Sequence, residues 1–218
     1  MIKVDLKSRS IHLMGSTITI SILHENADSL LDQVFSLLRL YEKRFSANDD
    51  SSELMQINHA AGKHAVCVHP DLFELIELGK KHSLAPDSHL NITLGPLVQT
   101  WRIGFADAKV PSPKEIKQAL ALTDPECIEL DAAASSVFLT MEGMKIDLGA
   151  LAKGYIADKI AAFLRGQGVT SALINLGGNI LTIGLNEKNN RCWWIGIQNP
   201  SLPRGNDLAL LSIQDQSV

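Results

Sequence analysis

The chain is short of basic runs, of cysteine and of aromatic residues, and each shortage closes off a class of function. Lys and Arg number 20 against 24 Asp and Glu, for a net charge of −4 and a pI near 6.0. No stretch gathers the positive charge, so a nucleic-acid partner, which needs a basic patch to follow phosphates, is set aside. The three cysteines, Cys67, Cys127 and Cys192, are odd in number, far apart and without CxxC spacing. They read as reduced core thiols rather than a disulfide framework. His64 and Cys67 suggest a metal at first sight, but strand alternation would place them on opposite faces. No apolar run reaches the length of a membrane span. The stretch Met1–Ser10 has neither the apolar core nor the cleavage site of a signal peptide. A soluble cytoplasmic protein, or a chain stripped of its leader, is the expectation. Gly149–Gly154 lacks the Gly-Lys-Ser/Thr of a phosphate-binding P-loop, and that reading is rejected.

What is present is an ordinary globular composition: 218 residues, 45% hydrophobic and 20% charged, enough for one sizeable core. Thr17–Leu23 alternates and is β-branched, as a half-buried strand does. From Asp28 or Ser29, Leu30, Leu31, Val34, Leu37, Leu38, Tyr41 and Phe45 recur at helical spacing. A polar, turn-rich loop follows Phe45 and leads to a short helix ending at Asn58. Asp71–Ser83 repeats the amphipathic pattern, and Gly95-Pro96 is expected to break regular structure. Asn91-Ile92-Thr93 matches a glycosylation acceptor and is discounted for want of a secretory signal. Ser112-Pro113-Lys114-Glu115 is a complete helix start, with the helix expected to reach about Leu122. Ile128–Leu130, Val137–Thr140 and Met144–Asp147 are expected to form an antiparallel meander. Ala172–Ile183 is expected to be one strand broken at Gly177-Gly178, with further strands at Trp193–Gln198 and from Leu208. The order of elements implies an α+β fold with a largely antiparallel sheet and packed helices.

The most informative stretch is Lys145–Asp158. A short apolar run carries the chain into Asp147, and small residues at Gly149, Ala150, Ala152 and Gly154 open a helical pattern. An acid there is placed to cap the helix, with Asp158 returning to its face three turns on if the helix is continuous. Small side chains also admit a ligand to the backbone, and a helix N-terminus is suited to holding phosphate.

Six stretches in register resemble the ApbE family of FAD:protein FMN transferases. They are Met14-Gly15-Ser16; Phe45-Ser46 through Ser52-Glu53-Leu54 to Ile57-Asn58; and Asn91–Val98 with Trp101. The others are Ile146–Tyr155 with Asp158; Asn175-Leu-Gly177-Gly178-Asn179; and Trp194–Pro200. The resemblance implies Mg²⁺-dependent transfer of the FMN half of FAD to a Thr or Ser hydroxyl of a target flavoprotein, with AMP leaving. It implies FAD contacts at Met14, Asn48, His89, Leu90, Asn91, Asp147 and Lys153, and a backbone carbonyl offered to Mg²⁺ at Ala150. Lys153 is suited to neutralising pyrophosphate and Asp147 to accepting a hydrogen bond from the nucleotide.

The chain departs from the family pattern in several places. Asn48 stands where the family often has an aromatic, Leu90-Asn91 where it usually has Phe-Asp, and Ser16 where Thr is commoner. The resemblance also makes residues 1–218 the N-terminal portion of a single domain. The family's C-terminal strands, its catalytic His and the remaining Mg²⁺ ligands are expected beyond Val218. Transfer by these residues unaided is therefore not expected. A bare sheet edge, and with it self-association, is expected where strands are missing. Hydrolysis of the FAD pyrophosphate to FMN and AMP, and a non-catalytic FAD-binding module, stand as the alternatives.

Overall fold

The computed structural model describes residues 5–186 and 189–218. Met1–Val4, the start of the stretch read as lacking a signal peptide, lie outside the described residues. In chain order the strands are β1 Leu6–Leu13, β2 Ser16–Leu23, β3 Val66–Cys67, β4 Ile128–Asp131, β5 Ser136–Leu139, β6 Ser171–Leu176, β7 Asn179–Ile183, β8 Trp193–Gln198 and β9 Asp207–Ile213. The α-helices are α1 Ala27–Phe45, α2 Glu53–His59, α3 Pro70–Ser83, α4 Gly95–Trp101, α5 Pro113–Leu120 and α6 Ala152–Gly166. Helices and antiparallel sheets are mixed, as an α+β chain requires. None of the described helices is long and apolar enough to cross a membrane. The chain divides into two compact units, one built from residues 1–40 and 153–218 and the other from residues 41–152.

The first unit holds a four-stranded antiparallel sheet in the order β1-β2-β6-β7. Its register follows from β-branched alternation. Ile18 faces Leu176, Ile20 faces Ile174 and Ile22 faces Ala172, and all six side chains are buried. β1 was not anticipated over Leu6–Ser10. Lys7 and Arg9, on the α1-facing side opposite Ile22 and Ile20, hide the alternation, and they pair with Asp28 and Asp32 of α1. Charged side chains are usual on a sheet's outer strand. α1 and α6 bury the stripes Leu30, Leu31, Val34, Leu38 and Ile156, Ile160, Leu164. The β8–β9 hairpin contributes Trp193, Ile195 and Ile213 to a cluster with Leu6, Leu173 and Ile180. Gln216–Val218 runs along β7, exchanging backbone hydrogen bonds of 2.8 Å between Ile180 and Val218.

The second unit packs α2–α5 around a smaller sheet of order β3-β5-β4. Here the anticipated meander fails at its third strand. Met144–Asp147 forms no ladder, and β3 pairs with β5 instead. The cause is the buried amide of Asn58. Its Nδ2 donates to the Ile146 carbonyl at 3.1 Å, and its Oδ1 accepts from the Ile146 N–H at 2.8 Å. A side chain thus satisfies both backbone groups that a neighbouring strand would otherwise take.

Other expectations also change. Gly95-Pro96 begins α4 rather than breaking structure, because proline's missing N–H costs nothing in a first turn. Gly177-Gly178 is the two-residue turn of the β6–β7 hairpin rather than an interruption in one strand. Cys67 is exposed, while Cys127 and Cys192 are half-buried, so the thiols are free but not core residues. The Ser112–Glu115 capping box forms as read, although α5 stops at Leu120.

Asn58→Ala strands a buried N–H and C=O at Ile146. It is expected to lower unfolding free energy by about 2–4 kcal/mol in urea titration. Asn58→Asp keeps the acceptor but sets a carboxylate against the Ile146 carbonyl, and should cost at least as much near neutral pH. A change below ~0.5 kcal/mol for either variant would show that the bridge is not needed.

Candidate functional site

The loop that follows Ile146 is held from two sides. The Asp147 N–H donates to the Ile92 carbonyl at 2.8 Å, which fixes Asp147 beside the His89–Asn91 segment. Asp147 Oδ1 accepts from the Gly149 N–H at 2.8 Å, closing an Asx turn. Asp147 therefore orders the approach to α6 but does not cap it, since the helix begins only at Ala152. Leu151 and Ala152 both donate to Leu148 across the intervening turn. With Asp147 outside the helix, the expectation that Asp158 returns to its face lapses. Asp158 instead lines a cleft of about 780 Å³ with Arg165, Thr182 and Asp215.

The other anticipated residues of this unit have distinct local settings. Asn91 spends its side chain on the fold, donating to the Thr123 carbonyl at 2.8 Å and accepting from Thr93 N–H and Oγ1. His89 is exposed and Leu90 half-buried. Asn48 sits exposed in the loop between α1 and α2. That loop is closed by Ser52 Oγ donating to the Ser46 carbonyl at 2.6 Å. Ala150 lies exposed in the turn before α6.

In the other unit, Met14 and Lys153 are brought to one end of the four-stranded sheet. The β1–β2 turn is Met14-Gly15, with φ of +52° and +67°, and the β6–β7 turn is Gly177-Gly178, with φ of +68° and +105°. Both are two-residue turns of left-handed backbone, the geometry that matches strand twist. Because β2 and β6 run antiparallel with Ile18 opposite Leu176, both turns fall at the same end. They come close together. A Cβ built on Gly177 would stand 2.3 Å from Ser16 Oγ and 3.7 Å from Lys153 Cε. Ser16 Oγ is buried and has no hydrogen-bond partner among the described residues.

α6 begins beside this orphan hydroxyl, and its first turn holds Lys153 and no acid. A cation at the positive end of a helix dipole is unfavourable unless an anion shares the site. Peptide N–H groups, an ammonium and an unused hydroxyl make a donor set that fits phosphate oxygens.

The ApbE family model matches residues 14–218. The chain belongs to the ApbE family. Among its relatives, the FAD:protein FMN transferase of Klebsiella pneumoniae (strain 342) is 44% identical over 211 residues, covering 97% of this chain and 64% of that protein. The FAD:protein FMN transferase of Treponema pallidum (strain Nichols) is 37% identical over 200 residues, covering 86% of this chain and 55% of that one. The chain thus spans less than two thirds of either relative. The flavin transferase ApbE from Vibrio cholerae superposes with a TM-score of 0.88 at 22% identity, over 99% of this chain and 71% of that structure. The apbe protein from Thermotoga maritima gives 0.87 at 23%, over 98% and 69%. These likenesses establish the ApbE fold.

Two features escaped the motif reading. Ser16 figured only as a variant residue, and its orphan hydroxyl becomes visible only when the two turns meet. Arg44 carried no signal at all. For Mg²⁺, the residues described do not complete a site. Among them no three His, Cys, Asp or Glu side chains are grouped to hold a metal. A single Ala150 carbonyl falls far short of an octahedral shell.

The paired turns can be tested by contrast. Gly15→Ala meets only the left-handed backbone, with nothing within 4 Å of the new Cβ, and should cost about 1 kcal/mol. Gly177→Ala adds collision with Ser16 and should cost ~1–3 kcal/mol more. Equal losses in denaturant titration would show that the turns do not press together.

Proposed function

We propose that the chain binds FAD and serves the transfer of its FMN half to a Thr or Ser hydroxyl of a target flavoprotein. The observation that carries this reading is the start of α6: Lys153 in an acid-free first turn, beside the orphan hydroxyl of Ser16 and the Gly177 turn. Such a donor set suits a pyrophosphate, and the relatives are FAD:protein FMN transferases, whose named substrate FAD carries one.

In the reaction, the acceptor hydroxyl oxygen bonds to the phosphorus of the FMN half. The bond from that phosphorus to the bridging oxygen breaks, and AMP departs with that oxygen. The hydroxyl proton passes to a base, and no described residue is assigned that task. The chain's own part is to bind and orient. In the first unit, Lys153 and the first peptide N–H groups of α6 are the donors suited to offset the diphosphate charge, and the resemblance assigns a contact to Met14. In the second, it assigns contacts to Asn48, His89–Asn91 and Asp147, whose carboxylate is suited to accept from the nucleotide. Asn91 contributes through its backbone, since its side chain is already engaged. Mg²⁺ dependence belongs to this reading by resemblance. Ala150 is its expected carbonyl donor, and no step is routed through the ion.

Isothermal titration of the chain with FAD, with and without Mg²⁺, is the first test, with binding expected. Lys153→Met and Asp147→Ala should each weaken FAD by about tenfold, the scale of one lost charged hydrogen bond. Unchanged affinity in folded variants would remove these residues from the site. With an acceptor protein added, flavin found on the protein supports transfer. Free FMN and AMP would mean hydrolysis, and binding without turnover would mean a binding module.

A further inference from the structure

We infer that Arg44 is a positioning residue whose guanidinium braces the Ser46–Ser52 loop so that the loop presents Asn48 to the nucleotide, an inference that rests on the FAD reading above. Arg44 closes α1, and Glu53 opens α2 immediately after the loop. Arg44 Nη1 lies 3.1 Å from Asp71 Oδ2 and its Nε 4.0 Å from Glu53 Oε2, with the Arg44 side chain only 16% exposed. Glu53 Oε1 in turn accepts from the His69 N–H at 2.5 Å, and the His69 imidazole caps the Asp71 N–H at 3.1 Å. The starts of α2 and α3 are thus tied to the end of α1 through one cation.

Within the loop, the bonds are local and saturating. Ser52 Oγ reaches the Ser46 carbonyl, and the Ser52 N–H donates to Asp49 O at 2.8 Å. Ser46 Oγ accepts from the Asn48 N–H at 3.2 Å, and Asp49 Oδ1 accepts from both the N–H and the hydroxyl of Ser51. These acceptor bonds hold the Asp49 carboxyl below its usual range. The loop backbone is therefore fixed before any ligand arrives, and the Asn48 side chain projects outward from it. Ordering a loop in advance removes that cost from binding. Without Arg44, the half-buried carboxylates of Glu53 and Asp71 lose the cation they share, and His69, 3.5 Å from Asp71, is left beside them as a group that is cationic only when protonated.

A double-mutant cycle distinguishes positioning from general support. FAD affinity is measured by titration on the whole chain as wild type, Asn48→Ala, Arg44→Met, Arg44→Met with Asn48→Ala, and Arg44→Lys. Each single variant should bind about five- to tenfold more weakly. The double variant should bind no worse than Asn48→Ala alone, and Arg44→Lys should recover part of the loss. Wild-type affinity in Arg44→Met, or losses that multiply in the double variant, would overturn the inference.

Hydrogen exchange supplies a readout independent of the ligand. In Arg44→Met, the amides of Asn48, Ser51 and Ser52 should exchange at least tenfold faster while those of β4 and β5 hold. Unchanged loop exchange overturns the brace whatever FAD does. If the wild type does not bind FAD but loop exchange rises, the ligand reading fails and the brace stands.

Discussion

One side chain does the work of a missing strand. Asn58 offers its donor and its acceptor to the backbone of Ile146, and among the described residues no rung of the three sheets includes Ile146. Bound in this way, the peptide before Asp147 is set, and the Asp147 N–H completes the arrangement by reaching Ile92. Three segments distant in sequence, around residues 58, 92 and 147, are thereby joined by three hydrogen bonds. The arrangement suits a site better than a ladder would. A ladder consumes N–H and C=O groups along its whole length, whereas an amide bridge uses one pair and leaves the next residues free to turn.

The start of α6 shows the opposite economy, a local arrangement with its own demands unmet. A buried hydroxyl lacks a partner, a lysine stands in a first turn where an acid would be preferred, and Met14 holds a left-handed backbone more comfortable for glycine or asparagine. Each departure is small, but all three meet at one end of one sheet. Protein chains that satisfy local preferences elsewhere concentrate such exceptions where a ligand completes them. Under the proposed reading, phosphate oxygens would answer the Ser16 hydroxyl and the Lys153 ammonium together.

The fold was legible where burial is one-sided. Thr17–Leu23 alternates because its isoleucines face isoleucine and leucine across the sheet, and the α1 stripe repeats because one face alone is apolar. Leu6–Ser10 was not legible, since Lys7 and Arg9 take the α1-facing positions opposite Ile22 and Ile20 and meet Asp28 and Asp32 there, so the strand shows no apolar alternation. Met144–Asp147 misled for a physical reason: the residues are extended and alternately buried, but their partner is a side chain. Gly177-Gly178 was read as an interruption because a hairpin turn and a bulge ask for the same backbone freedom. For the site, family resemblance named the residues and residue chemistry suggested roles for Lys153 and Asp147. Neither could show that Asn91 is occupied by Thr93 and Thr123, that Asp147 precedes rather than caps the helix, or that Ser16 is left without a partner. The bond to Thr123 and the burial of Ser16 against Gly177 arise from contacts distant in sequence, while the Asn91 and Asp147 turns are local bonds that residue type alone does not decide.

The Met14-Gly15 turn also bears on how the sheet avoids misassembly. A two-residue left-handed turn admits one alignment of β1 on β2, with Leu13 opposite Ser16. Sliding β2 by a single residue would carry Ile18, Ile20 and Ile22 to the opposite face and lay Thr17, Thr19 and Ser21 against the α1 and α6 core. The same slip would propagate into β6, whose buried residues match β2 rung for rung. The chirality of two residues at a hairpin tip thus acts as a ratchet on the pairing of three strands.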